Sequence, residues 1–550
     1  MRTDSNICIL NKGKNRVPLR ALARVACVAI GVQFGWALQL SLLTPYVQEL
    51  GISHTFASYI WLCGPISGIL VQPIVGYYSD NWPGSWGRRR PFIVIGAMLV
   101  VVAVVLIGFA ADIGYMLGDS SSTRVRAITI FVIGFWILDL ANNTLQGPCR
   151  ALLADFTGKD QRRTRRANAF FSLFMAFGNV LGFAAGSFDS WPKIFPFTLT
   201  EACNLACANL KSAFLVDVIL LLLTTFLSVT AAQEIPWSAM SQNPQLFTSV
   251  PTTPLLQETP VIIANENGKM FSNSDASTSS CTHESENQAD SEELEIVQET
   301  LFWDLLSTFR DLPRAMWYIL LVTALAWFAW FPFILFDTDW MGREVYRGEP
   351  NSESIEKEVL YHAGVRMGAF GLMLNAVVLG VSSLLIEPVC RRVQTRYVWG
   401  LANLLMTFCF ASTAIITIAA GKASPLGYVQ PPTSIKVAAL ATFAVLGAPL
   451  AVTYSVPYAL TASFTSSAGG GQGLSMGVLN LAVALPQVIV SVGSGPWDAL
   501  FGGGNIPSFL LAALAALIGG IMAISILPKM PCERAIQSTG FHCTYTSPVP

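Results

Sequence analysis

The stretch 137-ILDLANNTLQGPCRALLAD-155 sets five polar side chains, Asp139, Asn142, Asn143, Gln146 and Arg150, within about three helical turns of an otherwise apolar segment. At 100° per residue, Asn142 lies about −60° from Asp139, Asn143 about +40°, Gln146 about −20° and Arg150 about +20°. The five share one stripe about 16 Å long, with Leu138, Leu140 and Leu145 well off it. Asp139 sits deep in the apolar run, where an ionisable group costs at least about 2.5 kcal/mol on insertion scales. Such a stripe faces either a polar cavity or satisfying partners on a neighbouring helix. Five polar groups exceed what one helix contact needs, which favours the cavity. Gly147-Pro148 interrupts the ladder, because the proline ring clashes with the carbonyl of Thr144. The expected kink re-aims Arg150 relative to Asp139.

The rest of the chain fixes the solvent around that stripe. Of 550 residues, 53% are hydrophobic and 12% charged, about half the charge of an ordinary soluble protein. Apolar runs of roughly twenty residues recur, each long enough to cross a bilayer core of about 30 Å. Hydropathy places twelve spans at 22–44, 57–79, 91–111, 127–153, 167–187, 212–233, 315–337, 364–386, 397–419, 436–461, 473–496 and 506–527. The fold class is an all-α membrane protein with the lipid bilayer as its partner. Residues 235–299 hold ten acids and one lysine among many Ser, Thr, Asn and Pro residues, a composition that buries no core. The chain thus divides into an N-terminal tail and six-helix bundle (1–233), an acidic disordered loop (234–312), a second six-helix bundle (313–530) and a tail (531–550). A net charge of −1 suggests no nucleic-acid partner. The basic N-terminal segment precedes an apolar run too long for a signal-peptide core, so it reads as a retained first helix.

Lysine and arginine in the short connections set the orientation. Six lie up to Arg24, and Arg88, Arg89 and Arg90 join spans two and three. Five more, Lys159 to Arg166, join spans four and five, and Arg391, Arg392 and Arg396 join eight and nine. The opposite loops are poorer: 45–56 has none, and 188–211 has Lys193 and Lys211. Both termini and the acidic loop are expected on the cytoplasmic side.

Other features divide between chemistry and packing. Asp139 reads as the only mid-span acid, with Asp217 and Glu387 placed near span ends. A lone buried carboxylate has its proton affinity raised by desolvation and lowered by a nearby cation, so it suits proton coupling. A sodium site needs several oxygens around the acid instead. Gly64, Gly68, Gln72 and Gly76 recur every four residues in span two, as do Gly178, Gly182 and Gly186 in span five; both series favour close helix packing, with Gln72 also within reach of the cavity. In 76-GYYSDNWPGSWGRRRP-91, Asp80 with Arg88, Arg89 and Arg90 forms a charge clasp or merely enforces topology. Span seven ends 327-WFAWFPFILFDTDWMGREVY-346. Trp327 and Trp330 offer flat faces suited to sugar C–H groups, and Trp340 suits an interfacial belt. Asp337, Asp339, Arg343 and Glu344 follow, with Asp339 and Arg343 at surface ion-pair spacing. Asn480, Pro486 and Gln487 place polar groups beside a helix break in span eleven. The eleven cysteines show no metal-ligand spacing; Cys203 and Cys207 are either a local disulfide or two free thiols. No nucleophile–base pair or metal cluster suggests an enzyme.

The combination LDLANNTLQGPCRALLAD, GRRRPFI, FDTDWMGREVY, SVPYAL and VSVGSGPWDALFGGGN resembles the plant sucrose–proton symporters of the major facilitator superfamily over roughly residues 22–527. The six-plus-six layout around a polar loop is also that of major-facilitator carriers, two bundles with a site near the midplane. The resemblance implies symport of sucrose, and of some glucosides, with one proton as coupling ion, without a cofactor. It implies that Asp139 couples the proton and that Arg150 is its counter-ion and a substrate contact. It implies transport roles for Asp339, Arg343 and Glu344 and a substrate-access role for His54. Asn142, Asn143, Gln146, Gln72 and Trp327 are substrate candidates from the stripe and aromatic readings. A sucrose sensor signalling through cytoplasmic regulators at the acidic loop, and a carrier of another sugar, stand as alternatives. Members of such a family work at the plasma membrane, the placement expected here, or at the vacuolar membrane.

Overall fold

The structure, a computed structural model, describes residues 18–231 and 312–527, apart from residues 83, 85, 121–123, 158–160, 313, 351, 353, 424–429 and 469–471. The acidic loop assigned to 234–312, with any regulator site on it, lies outside the described residues except for Leu312, and so do the two tails.

Twelve described spans are long and apolar enough to cross a membrane. In the first half, α1 (Leu19–Ala26) and α2 (Val28–Glu49) form span one, and α3 (His54–Ile60) and α4 (Cys63–Asn81) form span two. Next come α5 (Arg90–Gly108), its short continuation α6 (Ala110–Met116), α7 (Val125–Thr157), α8 (Gln161–Ser187), the single turn α9 (Trp191–Ile194) and α10 (Leu205–Ala231). The second half holds α11 (Arg314–Trp340), which ends in a π-helical turn at Met341–Val345, then α12 (Ile355–Arg392) and α13 (Thr395–Ala423). It closes with α14 (Thr433–Ala468), α15 (Gln472–Leu500) and α16 (Ile506–Ile526). At 33 residues, α7 is about 50 Å long and projects beyond a bilayer core. Pro148 lies inside it, and the helix continues through the expected break.

Small residues set how closely the helices approach. A Cβ on Gly178 would lie 2.4 Å from the Ile30 carbonyl oxygen, on Gly182 2.6 Å from that of Phe34, and on Gly186 2.9 Å from Ser41 Oγ. The span-five ridge therefore seats α8 directly on α2, as its spacing predicts. The span-two series behaves differently. Gly68 and Gly76 face open space, Gly64 looks onto Asp139 at 3.4 Å, and Gln72 is exposed. That row is not a continuous packing ridge: α7 meets it at Gly64 and Gln72, and nothing meets it at Gly68 and Gly76. In the second half, Trp330, Phe333, Phe410, Phe443 and Phe509 interlock edge-on and tilted. Trp340 is fully buried against Phe443 and Phe509, so it belongs to this core and not to an interfacial belt. Outward-facing apolar side chains such as Phe226, Phe408 and Ile415 remain exposed, as they must where the solvent is lipid.

The sixth span begins earlier than hydropathy placed it. Lys211 ends the predicted loop in the sequence reading, yet it is buried in α10, paired with Asp112, bonded to the Thr198 carbonyl at 3.3 Å and set over the Phe109 ring. With its charge answered, the lysine no longer stops the helix, and α10 extends back to Leu205. Asp217 then falls near the middle of the span, buried against α2, where a Cβ on Gly35 would lie 2.8 Å from its Oδ2. Asp139 is therefore not the only mid-span acid. At the start of the same helix, Cys207 in its first turn is joined by a disulfide to Cys203 just ahead of it.

Candidate functional site

Asp139 is 1% exposed and is held by two neutral groups. Gln39 of α2 donates Nε2 to Oδ1 at 3.0 Å, and the Cys63 thiol at the start of α4 lies 2.7 Å from Oδ2. Asn143, one turn along α7, donates Nδ2 to Ser67 Oγ at 2.8 Å and accepts from Gln72 Nε2 at 2.8 Å. Asn142 is buried and Gln146 half-buried. The stripe is thus real but shared: Asp139 and Asn143 tie α7 to α2 and α4, while its far end opens.

That far end carries Arg150, which is exposed. Its guanidinium lies over the Phe171 ring of α8 at 5.2 Å and beside Met175 Sδ at 3.9 Å. No ion pair joins Arg150 to Asp139 among the described residues. Eleven residues of helix separate the two by about 16 Å along the axis, and Arg150 does not meet Asp139 across Pro148 in this conformation. Tyr454 of α14 is 49% exposed and stacks obliquely on Trp327 at 5.7 Å. Trp327 itself is buried, so the exposed aromatic face of this pair belongs to Tyr454.

At the end of the molecule bearing Glu49, the seam is shut. His54 of the first bundle lies with Nδ1 3.5 Å from Asp339 Oδ2 and Nε2 3.5 Å from Asp498 Oδ2, both in the second bundle. Its ring packs on Phe336, with centroids 4.4 Å apart. Asp339 is fully buried and also accepts from Arg343 Nε at 2.9 Å, Tyr361 Oη at 2.7 Å and Asn505 Nδ2 at 3.1 Å. The Asp339–Arg343 pair is therefore a buried element of the seam rather than a surface pair. Arg343 reaches Gln48 of α2, and His362 Nδ1 lies 3.2 Å from Glu49 Oε1. Glu344 accepts from the Asn505 amide and from Thr417 Oγ1 at 3.1 Å, which holds the π-helical turn against α13 and the start of α16. Asp337, also buried, caps the Thr338 amide. Gly495 of α15 backs onto the Thr55 carbonyl so closely that a Cβ would sit 2.0 Å from it.

At the opposite end, Arg88 pairs with Asp155 of α7 at 2.9 Å, and Arg89 reaches the same carboxylate at 3.4 Å and Ser79 Oγ at 2.7 Å. This clasp joins three helices of one bundle. Asp80 lies in α4, but its side chain is outside the described residues, and the partner that the structure supplies is Asp155. Arg90 opens α5. Gln39, Cys63, Gln48, Glu49, Tyr361, Asp498 and Asn505 all escaped the sequence reading. Only the polar character of Gln39 inside an apolar run would have flagged any of them; Gln48 and Glu49 lie beyond the predicted end of span one at residue 44.

The pattern of the Major Facilitator Superfamily matches residues 25–485. The rice (Oryza sativa subsp. japonica) sucrose transport protein SUT2 is 52% identical over 520 residues, covering 94% of each chain. Sucrose transport protein SUC4 of Arabidopsis thaliana is 52% identical over 535 residues, covering 97% of this chain and 95% of its own. Among solved structures, a D-xylose–proton symporter is similar at 14% identity and a TM-score of 0.57, covering 93% of this chain and 98% of its own. An inward-open form of the xylose transporter XylE from E. coli is similar at 15% identity and a TM-score of 0.56, covering 93% and 97%. With its twelve spans and its near-full-length likeness to these relatives, the chain belongs to the plant sucrose transport protein family within the Major Facilitator Superfamily, a family of carriers and not of enzymes.

Proposed function

We propose that this carrier moves sucrose together with a proton by alternating access. The substrate follows from relatives named as sucrose transport proteins at about half identity along nearly the whole chain. The coupling ion rests on one observation: Asp139 is buried in mid-span, and among the described residues its carboxylate is hydrogen-bonded by Gln39 and Cys63, with no cation beside it. A carboxylate without a cation beside it is costly in an apolar medium, and taking up a proton removes that cost.

The arginine-rich connections support a cytoplasmic Arg88–Asp155 end and cytoplasmic termini; in this reading the shut Glu49 end faces outward and the described conformation faces inward. In the opposite state the His54–Asp339–Asp498 contacts part and Asp139 takes a proton. Sucrose then enters between the bundles against Gln146, Asn142, Arg150 and the Tyr454 ring. Closure rebuilds the outer network, the inner cleft opens, and sucrose and the proton leave. Arg150 acts here on the substrate and through its field on the cleft, being too far along α7 to touch Asp139 in this state. Plasma-membrane residence is part of the proposal and is tested by a fluorescent fusion against a vacuolar-membrane marker.

Sucrose-evoked inward current in oocytes, recorded at two external pH values with a panel of sugars, tests substrate and coupling together. Asp139→Asn is expected to abolish accumulation against a gradient. Unchanged pH-dependent uptake in that variant would sink the proton assignment.

A further inference from the structure

The two groups that hold Asp139 differ in what they offer. Gln39, fully buried in α2, gives Nε2 to Oδ1, while the other half of its amide, Oε1, is buried with no hydrogen-bond partner among the described residues. Buried amide oxygens are almost always satisfied, so this one asks for a donor. An ionised carboxylate only accepts, whereas a protonated one also donates an O–H. The amide carries a donor and an acceptor at opposite corners of one plane, and half a turn about its last torsion exchanges them.

We propose that Gln39 is the positioning residue that serves Asp139 in both protonation states: Nε2 donates to the carboxylate, and after a flip Oε1 accepts the O–H of the carboxylic acid. The unpartnered oxygen is the seat of the second state. This deepens the proton-coupled reading and rests on it. It also gives α2 a part in coupling, since Gln48 and Glu49, at its outer end, contact Arg343 and His362 of the second bundle.

Other titratable and charged groups around this point are few or lie away from it. Cys63 of α4 is the only one that touches Asp139 among the described residues. Asp217 of α10 lies against Gly35, one turn from Gln39 on the same side of α2. On α11 and α12, Asp337, Asp339, His362 and Arg366 sit towards the Glu49 end, as does Glu49 itself. Arg90 begins α5, and Lys211 is paired with Asp112. On α7, Arg126 lies near the start of the helix, and Arg150 and Asp155 lie beyond Asp139 towards the Arg88 end.

The test is the pH profile of sucrose-evoked current, with proton-independent sucrose counterflow as the measure of a folded carrier. Gln39→Met fills similar space without a donor or acceptor. It is expected to keep counterflow and to move the pH of half-maximal current upward by about one unit, because the bond lost by the ionised state, one to charge, is stronger than the neutral bond lost by the acid. Cys63→Ser keeps a donor and is expected to leave the midpoint nearly in place. Should Gln39→Met lose counterflow, Gln39→Glu takes its place; it puts a second carboxyl beside the first and is expected to move the midpoint further up. An unshifted midpoint in a counterflow-competent Gln39 variant overturns the positioning role. If Asp139→Asn has at the same time lost its pH dependence, only this inference fails. PH-dependent accumulation surviving in Asp139→Asn overturns the reading beneath it.

Discussion

His54 and Asp339 meet across the seam between the two bundles, 285 positions apart in the chain, with Nδ1 3.5 Å from Oδ2. The histidine is 8% exposed and the aspartate fully buried. On its other side, His54 Nε2 faces Asp498, so one imidazole from the first bundle bridges two carboxylates of the second. These contacts need the Glu49 end shut, and they stabilise this conformation over one in which that end is open.

Asp498→Asn tests that bias. The amide keeps the shape and loses the charge, and a buried hydrogen bond to a charged group contributes roughly 1.5–3 kcal/mol. The expected result is a shift of about tenfold or more towards the outward-facing state. The check is labelling of a cysteine introduced at Ile52 by an impermeant thiol reagent added outside. Labelling at the parent rate would remove Asp498 from the gate.

Gly495 supplies a steric version of the same experiment. A Cβ there would sit 2.0 Å from the Thr55 carbonyl oxygen, and backbone cannot step aside as a flexible side chain does. Overpacking of this kind costs roughly 1–3 kcal/mol, and here it falls on the closed seam alone. Gly495→Ala is expected to bind sucrose from outside while its maximal transport rate falls about tenfold or more. Equal loss of binding and transport would mean a folding defect instead.

The sequence made some of this visible and hid the rest for identifiable reasons. Twelve spans were legible because each carries its own apolar run, and the α8 ridge because Gly178, Gly182 and Gly186 repeat on one face. Asp217 was misplaced because Lys211 looked like a loop residue; its neutralising partner, Asp112, lies 99 positions away. Asp339 and Arg343 were read as a surface pair because i, i+4 spacing is blind to burial, which His54, Tyr361 and Asn505 supply from three other spans. The polar stripe marked Asp139 and Asn143 but named none of the groups that bond them. Cys63 is one of eleven cysteines, and nothing local marks it as the one beside the acid.

Glycine position, not glycine number, should govern stability. Gly178→Ala drives a methyl to 2.4 Å from the Ile30 carbonyl oxygen, whereas Gly68→Ala meets nothing within 4 Å. The first is expected to lower the melting temperature by several degrees, from an overpacking cost of about 1–3 kcal/mol. The second is expected to be neutral or stabilising by up to about 1 kcal/mol, the gain of alanine over glycine in a helix. Thermal unfolding of the detergent-solubilised protein ranks the two, and a reversed order would contradict the α2–α8 packing.

The Arg88–Asp155 contact predicts a charge-swap rescue. Asp155 receives both Arg88 and Arg89 at the ends of α7 and α5, and it is 18% exposed. Asp155→Arg sets three cations together and is expected to cut transport severely. Arg88→Asp in the same chain restores one pair and is expected to recover a substantial part of it. A double variant as weak as the single one would indicate that Asp155 serves something other than this clasp.

Substrate affinity should follow the tyrosine more than the tryptophan. The apolar flank of a sugar gains from a flat ring only if the ring is reachable, and Trp327 is 7% exposed while Tyr454, stacked on it, is 49% exposed. Tyr454→Ala removes the reachable face and leaves Trp327 unsupported, so KM for sucrose is expected to rise roughly tenfold, equivalent to about 1.4 kcal/mol. Tyr454→Phe keeps the ring and is expected to change KM little. Trp327→Phe keeps an aromatic platform beneath Tyr454 and is expected to have a smaller effect than Tyr454→Ala. Uptake of radiolabelled sucrose over a concentration series distinguishes these outcomes. A KM that rises with Trp327→Phe but not with Tyr454→Ala would mean that the tryptophan turns into the cleft when sucrose binds.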